Sequence, residues 1–82
     1  MKRVIIDLNV RLSFGDKNDA TYSGFEDVIG EIRPKPGEPV EVIEIESGIC
    51  GHGRILGVDL ERRLLFLDVD WKALVAPRKA PA

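Results

Sequence analysis

Six apolar residues occupy alternate positions near the start of the chain: Val4, Ile6, Leu8, Val10, Leu12 and Phe14, with Asp7, Asn9, Arg11 and Ser13 between them. Successive side chains of an extended strand point to opposite sides, so this repeat of two predicts a strand with one buried face. Ile5 adds an apolar group to the other face. An extended backbone must pair its N–H and C=O groups when buried, so the feature commits the chain to a sheet.

The rest of the chain fits a sheet. Gly15-Asp16-Lys17-Asn18-Asp19 holds only turn formers and charges and predicts a hairpin loop. The segment Thr21 to Ile32 reads two ways. Tyr22, Phe25, Val28, Ile29 and Ile32 have helical spacing, and Ser23 with Glu26 has the form of a capping box. Gly24 and Gly30 oppose a helix, at about 1 kcal/mol each relative to Ala. A return strand over Ala20 to Val28 fits the preceding loop better. Arg33-Pro34-Lys35-Pro36-Gly37-Glu38-Pro39 predicts an extended connector, since its prolines suit neither a central strand nor a helix interior.

Val40 to Glu46 predicts a strand whose parity slips: Val40 and Val42 share one face, Ile43 and Ile45 the other. Either a bulge near Val42–Ile43 turns all four inward, or both faces are covered. Ser47-Gly48 is a turn. Ile49 to Asp59 is strand-like, and its glycines call for a sharp bend or a close approach by another backbone. After a tight turn at Asp59 to Arg62, Leu64 to Trp71 reads as a strand with Leu65, Leu67, Val69 and Trp71 on one face. Trp71 to Leu74 has room for one helical turn.

At 82 residues the chain holds one domain, here residues 1–75, and its core is thin: a domain this size buries roughly 60–65% of its unfolded surface. Residues 76–82, without core residues, predict a disordered tail. No run reaches the ~18 apolar residues of a membrane span. Met1-Lys2-Arg3 precedes only three apolar residues, so no signal peptide is expected, and the expected compartment is the cytoplasm. The single cysteine, Cys50, has no partner in the chain for a disulfide.

Within Gly37 to Leu74 the order is Gly-Glu-Pro-Val-Glu-Val, a turn, Gly-Arg-Ile-Leu-Gly-Val-Asp, a turn, then Leu-Leu-Phe-Leu-Asp-Val-Asp-Trp and a short helical turn. This rhythm resembles an SH3-like small barrel over about half of the chain. The resemblance implies an all-β small barrel or sandwich of about five antiparallel strands with one short helical turn. It implies no activity, because that architecture hosts binders of proteins, peptides and nucleic acids.

Five constellations invite chemistry. Cys50 and His52 have the residue types of a nucleophile–base pair or of two zinc ligands. Two apart on a strand, they lie roughly 6–7 Å apart along the chain, beyond the reach of a hydrogen bond. The glycines from Gly48 to Gly53 lack the Gly-Lys-Ser/Thr of a phosphate loop. Asp16 to Asp19 fails the calcium-loop pattern at Ala20 and Thr21. Asp68 and Asp70 share one strand face, as solvent-facing carboxylates commonly do. Arg33 to Pro39 has the spacing of an SH3 ligand but serves more simply as a rigid connector.

For nucleic acid, 12 Lys+Arg against 14 Asp+Glu give a net charge of −2, against the basic balance such domains carry. Arg62, Arg63, Arg78 and Lys79 are the cations that can converge. Glu38, Glu41, Glu44 and Glu46 make one edge acidic and repel phosphate.

The odd surface is apolar. Leu64 and Phe66 lie opposite the Leu65–Leu67–Val69 face, where a thin single-core sheet should be polar. A covering strand, a second copy or another protein would each account for them. The sequence therefore predicts a non-enzymatic interaction or assembly module with Leu64, Phe66 and Ile5 as contacts. Gly48, Cys50 and His52 form its rim. The partner is a protein or a second copy of the chain, and no cofactor, metal or membrane is involved. Nucleic-acid binding through the arginines is the second reading, and metal or thiol chemistry at Cys50 and His52 the third.

Overall fold

The computed structural model describes residues 2–30 and 33–77. Seven strands lie among them: β1 (Lys2–Ile5), β2 (Leu12–Phe14), β3 (Lys17–Gly24), β4 (Val28–Ile29), β5 (Pro39–Ile43), β6 (Cys50–Asp59) and β7 (Leu64–Val69). Short 3₁₀ turns follow β3, at Phe25–Asp27, and β7, at Trp71–Ala73. The strands make one sheet in the order β2-β3-β7-β6-β5-β1-β4. The all-β expectation holds. Three details of it do not: there are seven strands rather than about five, the sheet stays open rather than closing into a barrel, and β1 pairs with β5 in parallel, Val4 opposite Val42.

The alternating run that opens the sequence is not one strand. β1 stops at Ile5, and only the Ile6 N–H continues its pairing, donating to the Ile43 carbonyl at 2.9 Å. The Asp7 carboxylate then accepts from the Asn9 N–H at 2.9 Å, and the Asp7 carbonyl from the Val10 N–H at 3.1 Å. This Asx-type turn gives the backbone a local alternative to the ladder. The chain crosses to the far edge of the sheet and returns as β2. The hairpin between β2 and β3 is tighter than expected. Lys17 already pairs with Phe14, and Gly15, at φ +58°, supplies the left-handed backbone of the turn.

Where a barrel would close, the edge strands are not paired. β3 meets the end of β1 and the crossing segment through side-chain hydroxyls rather than a backbone ladder. Ser23 donates to the Ile5 carbonyl at 2.6 Å, and Thr21 to the Val10 carbonyl at 2.7 Å. Both side chains are buried on the core side. Ile6 and Leu8 of the crossing segment join the core.

The core lies on the concave face. Val4, Val40, Val42, Ile55, Leu65, Leu67 and Val69 are buried there with Ile6, and Trp71 and Leu74 pack against them from the last turn. Val40 and Val42 face inward without a bulge, since β5 pairs with β6 in unbroken register from Pro39–Arg54 to Ile43–Cys50. The irregularity lies instead in β6, between Ile55 and Gly57. Gly53 of β6 has the expected cause, close approach by another backbone, whereas Gly51 and Gly57 are approached by side chains. A Cβ on Gly51 would meet the Leu74 side chain at 2.7 Å, and one on Gly53 the Asp68 carbonyl oxygen at 2.7 Å.

After the last turn, Val75 bridges to Cys50 through two backbone bonds of 3.0 and 2.8 Å. Pro77 rests on Gly48, where a Cβ would stand 3.2 Å from its ring. Ala76 and Pro77 are exposed. The remainder of the expected tail lies outside the described residues. The segment read two ways resolves as β3, a 3₁₀ turn and the short β4, with the Asp27 carboxylate accepting from the Gly24 N–H at 3.1 Å. Ile32 lies outside the described residues.

Candidate interaction face

The register of the ladders assigns the outward-facing strand residues to rows across the outer, convex face. Ile5, Ile43, Cys50 and Val75 are successive partners and form the first row. Arg3, Glu41 and His52 form the next, with Ile29 on β4. Then come Arg54, Asp68, Ala20 and Leu12. Gly57, Phe66 and Tyr22 make the fourth, and Asp59, Leu64 and Gly24 the last. The outer face thus has two apolar ends separated by a charged belt. Ion pairs lace the belt: Arg3 to Glu41 at 3.5 Å and Lys17 to Asp68 at 3.3 Å.

The two ends differ in what covers them. At the Phe66 end the Phe14 ring stacks on Phe66, centroids 4.7 Å apart and planes 19° from parallel. Gly57 makes room for it, since a Cβ there would lie 2.6 Å from Phe14 Cζ. Leu64 and Phe66 are half-buried, and Tyr22 remains 43% exposed. At the Ile5 end no strand lies over the row among the described residues. Ile5, Ile43 and Cys50 are half-buried by one another, and Val75 is 61% exposed. Ile45, just past the end of β5, is 62% exposed.

The expected contact set is therefore split. Ile5 stands in the row of Cys50, while Phe66 stands in the row of Gly57, seven residues along β6. At ~3.3 Å per residue the separation is roughly 20 Å. Ile5 and Cys50 come together, and Leu64 and Phe66 belong to a different patch. Gly48 lies beside the first row under Pro77, and His52 is exposed in the second. The expected rim loop from Gly48 to Gly53 is in fact strand from Cys50 onward. Ile43, Val75 and Ile45 were not among the expected contacts. The parity slip of Ile43 and Ile45 against Val40 and Val42 was the signal that pointed to two of them.

The other constellations are placed as follows. Cys50 and His52 lie two apart on extended backbone, on one face, with no hydrogen bond between them. No group of three or more His, Cys, Asp or Glu that could hold a metal occurs among the described residues. Arg62 is exposed, its Nε 3.9 Å from Asp59. Arg63 takes φ +58° in the turn, accepts the Phe25 N–H through its carbonyl at 3.0 Å, and lays its guanidinium 5.7 Å from the Phe25 ring centroid. Arg78 and Lys79 lie outside the described residues.

The proline segment is bonded into the sheet. Gly37 N–H donates to the Ile55 carbonyl at 2.6 Å, and Arg54 donates to the Gly37 carbonyl at 2.6 Å. Glu38 accepts from Lys2 Nζ at 2.6 Å. That bond, with the Lys35 N–H and the nearby lysine charges, holds the Glu38 carboxyl below the usual range against the opposing effect of burial.

No family model, curated protein or solved structure matches the chain. No helix among the described residues is long and apolar enough to cross a membrane.

Proposed function

We propose that the chain is a non-enzymatic protein-interaction or assembly module that uses the Ile5 end of its outer face. One observation carries this. Ile5, Ile43, Cys50 and Val75 form an unbroken apolar row four chain segments wide on the solvent side of a one-layer sheet. The outer face of such a sheet is ordinarily polar, and a contiguous exposed apolar patch marks a contact surface. Burial of that row supplies the affinity, at about 25 cal/mol per Å² of apolar area. The Arg3, Glu41 and His52 row beside it sets orientation by charge.

The test compares the unaltered protein with Val75→Glu. Solution mass by light scattering over a concentration series reads self-association, and capture from native lysate reads other partners. Val75→Glu is expected to unfold at the same temperature and to lose the association. Unaltered mass and unaltered captured proteins in the variant would overturn the proposal.

A further inference from the structure

The apolar row runs into a cleft. β1 and β5 are parallel, and beyond their carboxyl ends the chain departs in two directions: toward β2 after Ile6, and into the turn before β6 after Ile43. Diverging connections of this kind open the crevices at the ends of parallel strands in α/β sheets. Here the cleft encloses about 260 Å³. Ile5, Ile6 and Ile45 supply its apolar lining, and Asp7, Glu44 and Glu46 its carboxylates.

No lysine, arginine or histidine lines it. Two of the three carboxylates are held in place. Glu44 accepts from the Leu8 N–H at 2.8 Å and from Ser47 Oγ at 2.8 Å, and Asp7 from the Asn9 N–H. The Asp7 and Glu44 charges are therefore held before any ligand arrives, which lowers the ordering cost of binding, while Glu46 stands exposed at the cleft.

We infer that this cleft receives a lysine or arginine side chain from an extended, basic and aliphatic segment of a partner protein. The long stems of these residues lie well on apolar surface while their charged heads remain solvated or paired. In this cleft the stem runs over Ile5 and Ile45, and the head reaches the carboxylates of Asp7 and Glu46. The volume suits one such side chain rather than a cofactor, and the neighbouring aliphatic residues of the segment continue onto the Ile43–Val75 row. The inference rests on the interaction-module proposal and names its partner by chemistry.

Fluorescence anisotropy tests it, with labelled Gly-Val-Lys-Val-Arg-Gly as the probe and Gly-Val-Glu-Val-Glu-Gly as its control. The full chain is expected to bind the basic peptide saturably and the acidic one not at all. Raising the salt is expected to weaken binding, because exposed charges are screened beyond about 8 Å at physiological ionic strength. The pair Asp7→Asn and Glu46→Gln is expected to weaken it about five- to tenfold, the effect of losing two exposed ion pairs. Asp7→Asn keeps the acceptor for the Asn9 N–H, so the turn survives.

No binding by the full chain or by residues 1–77 would overturn the inference. Binding only after removal of residues 78–82, which include Arg78 and Lys79, would overturn it in favour of the chain's own segment as occupant. Failure here with a partner still lost in Val75→Glu would leave the module proposal standing.

Discussion

The Phe66 end and the Ile5 end of the outer face look alike as sequence and differ as structure. Each places apolar residues where a one-layer sheet should be polar. At the Phe66 end the chain folds back: β2 lays Phe14 on Phe66, and Gly57 leaves the space for it. At the Ile5 end the row from Ile5 to Val75 has no such cover among the described residues. The comparison teaches that apolar character on the outer face does not by itself tell a residue packed by its own chain from one left exposed. The first patch is packed by the chain's own aromatic ring, and the second leaves Val75 and Ile45 exposed.

That comparison can be sharpened by substitution, with the core as reference. Leu67→Ala removes a fully buried side chain of the concave face and is expected to cost about 3 kcal/mol by urea unfolding. Gly57→Ala, on the outer face, drives a methyl into the Phe14 ring and is expected to cost about 1–3 kcal/mol. A cost near zero there would place the Phe14 ring elsewhere. A double-mutant cycle between Phe14→Leu and Phe66→Leu is expected to return a coupling of about 0.5–1.5 kcal/mol, the range for stacked aromatic pairs. Zero coupling would make the two apolar ends equivalent and remove the distinction.

The smallest effect concerns pH, at the residue that leads into β5. The Glu38 carboxyl is held below its ordinary value chiefly by Lys2. A carboxyl lowered in the folded state binds its proton more readily when unfolded. Its contribution is therefore complete above the unfolded pKa and is lost as pH falls through the folded one. Glu38→Gln is expected to flatten the acid limb of the stability curve by at most about 1 kcal/mol, the range for partly exposed pairs. The neutral-pH ranking of the other variants is expected to stay the same.

Much of the fold could be read from residue patterns, and the exceptions have physical causes. The alternation of Leu65, Leu67 and Val69 gave β7 and its buried face, and the glycines of β6 announced close approaches. The run from Val4 to Phe14 misled because Asp7 and Asn9 form a turn inside a pattern that keeps perfect alternation. Alternation reports which residues are buried and does not say on which sheet face. The resemblance to a small barrel gave the all-β class but not the seven strands or the open sheet, and the bonds of Thr21 and Ser23 to the Val10 and Ile5 carbonyls join segments far apart in sequence. Ile5 and Cys50 were both legible as members of the candidate site, and the register puts them in one row. Val75 was not, since its place follows from the two bonds that carry it back to Cys50. Nor could single residues reveal that Leu64 and Phe66 lie about seven strand positions from Ile5's row, which only the pairing register fixes.

The most direct test sets Phe66→Ala beside Val75→Ala in urea unfolding, each against the unaltered protein. The stacked, half-buried ring is expected to cost about 2 kcal/mol, and the exposed valine less than about 0.5 kcal/mol. Equal losses, or a larger loss at Val75, would mean that the Ile5 end is as much a part of the folded core as the Phe66 end, and would contradict the account.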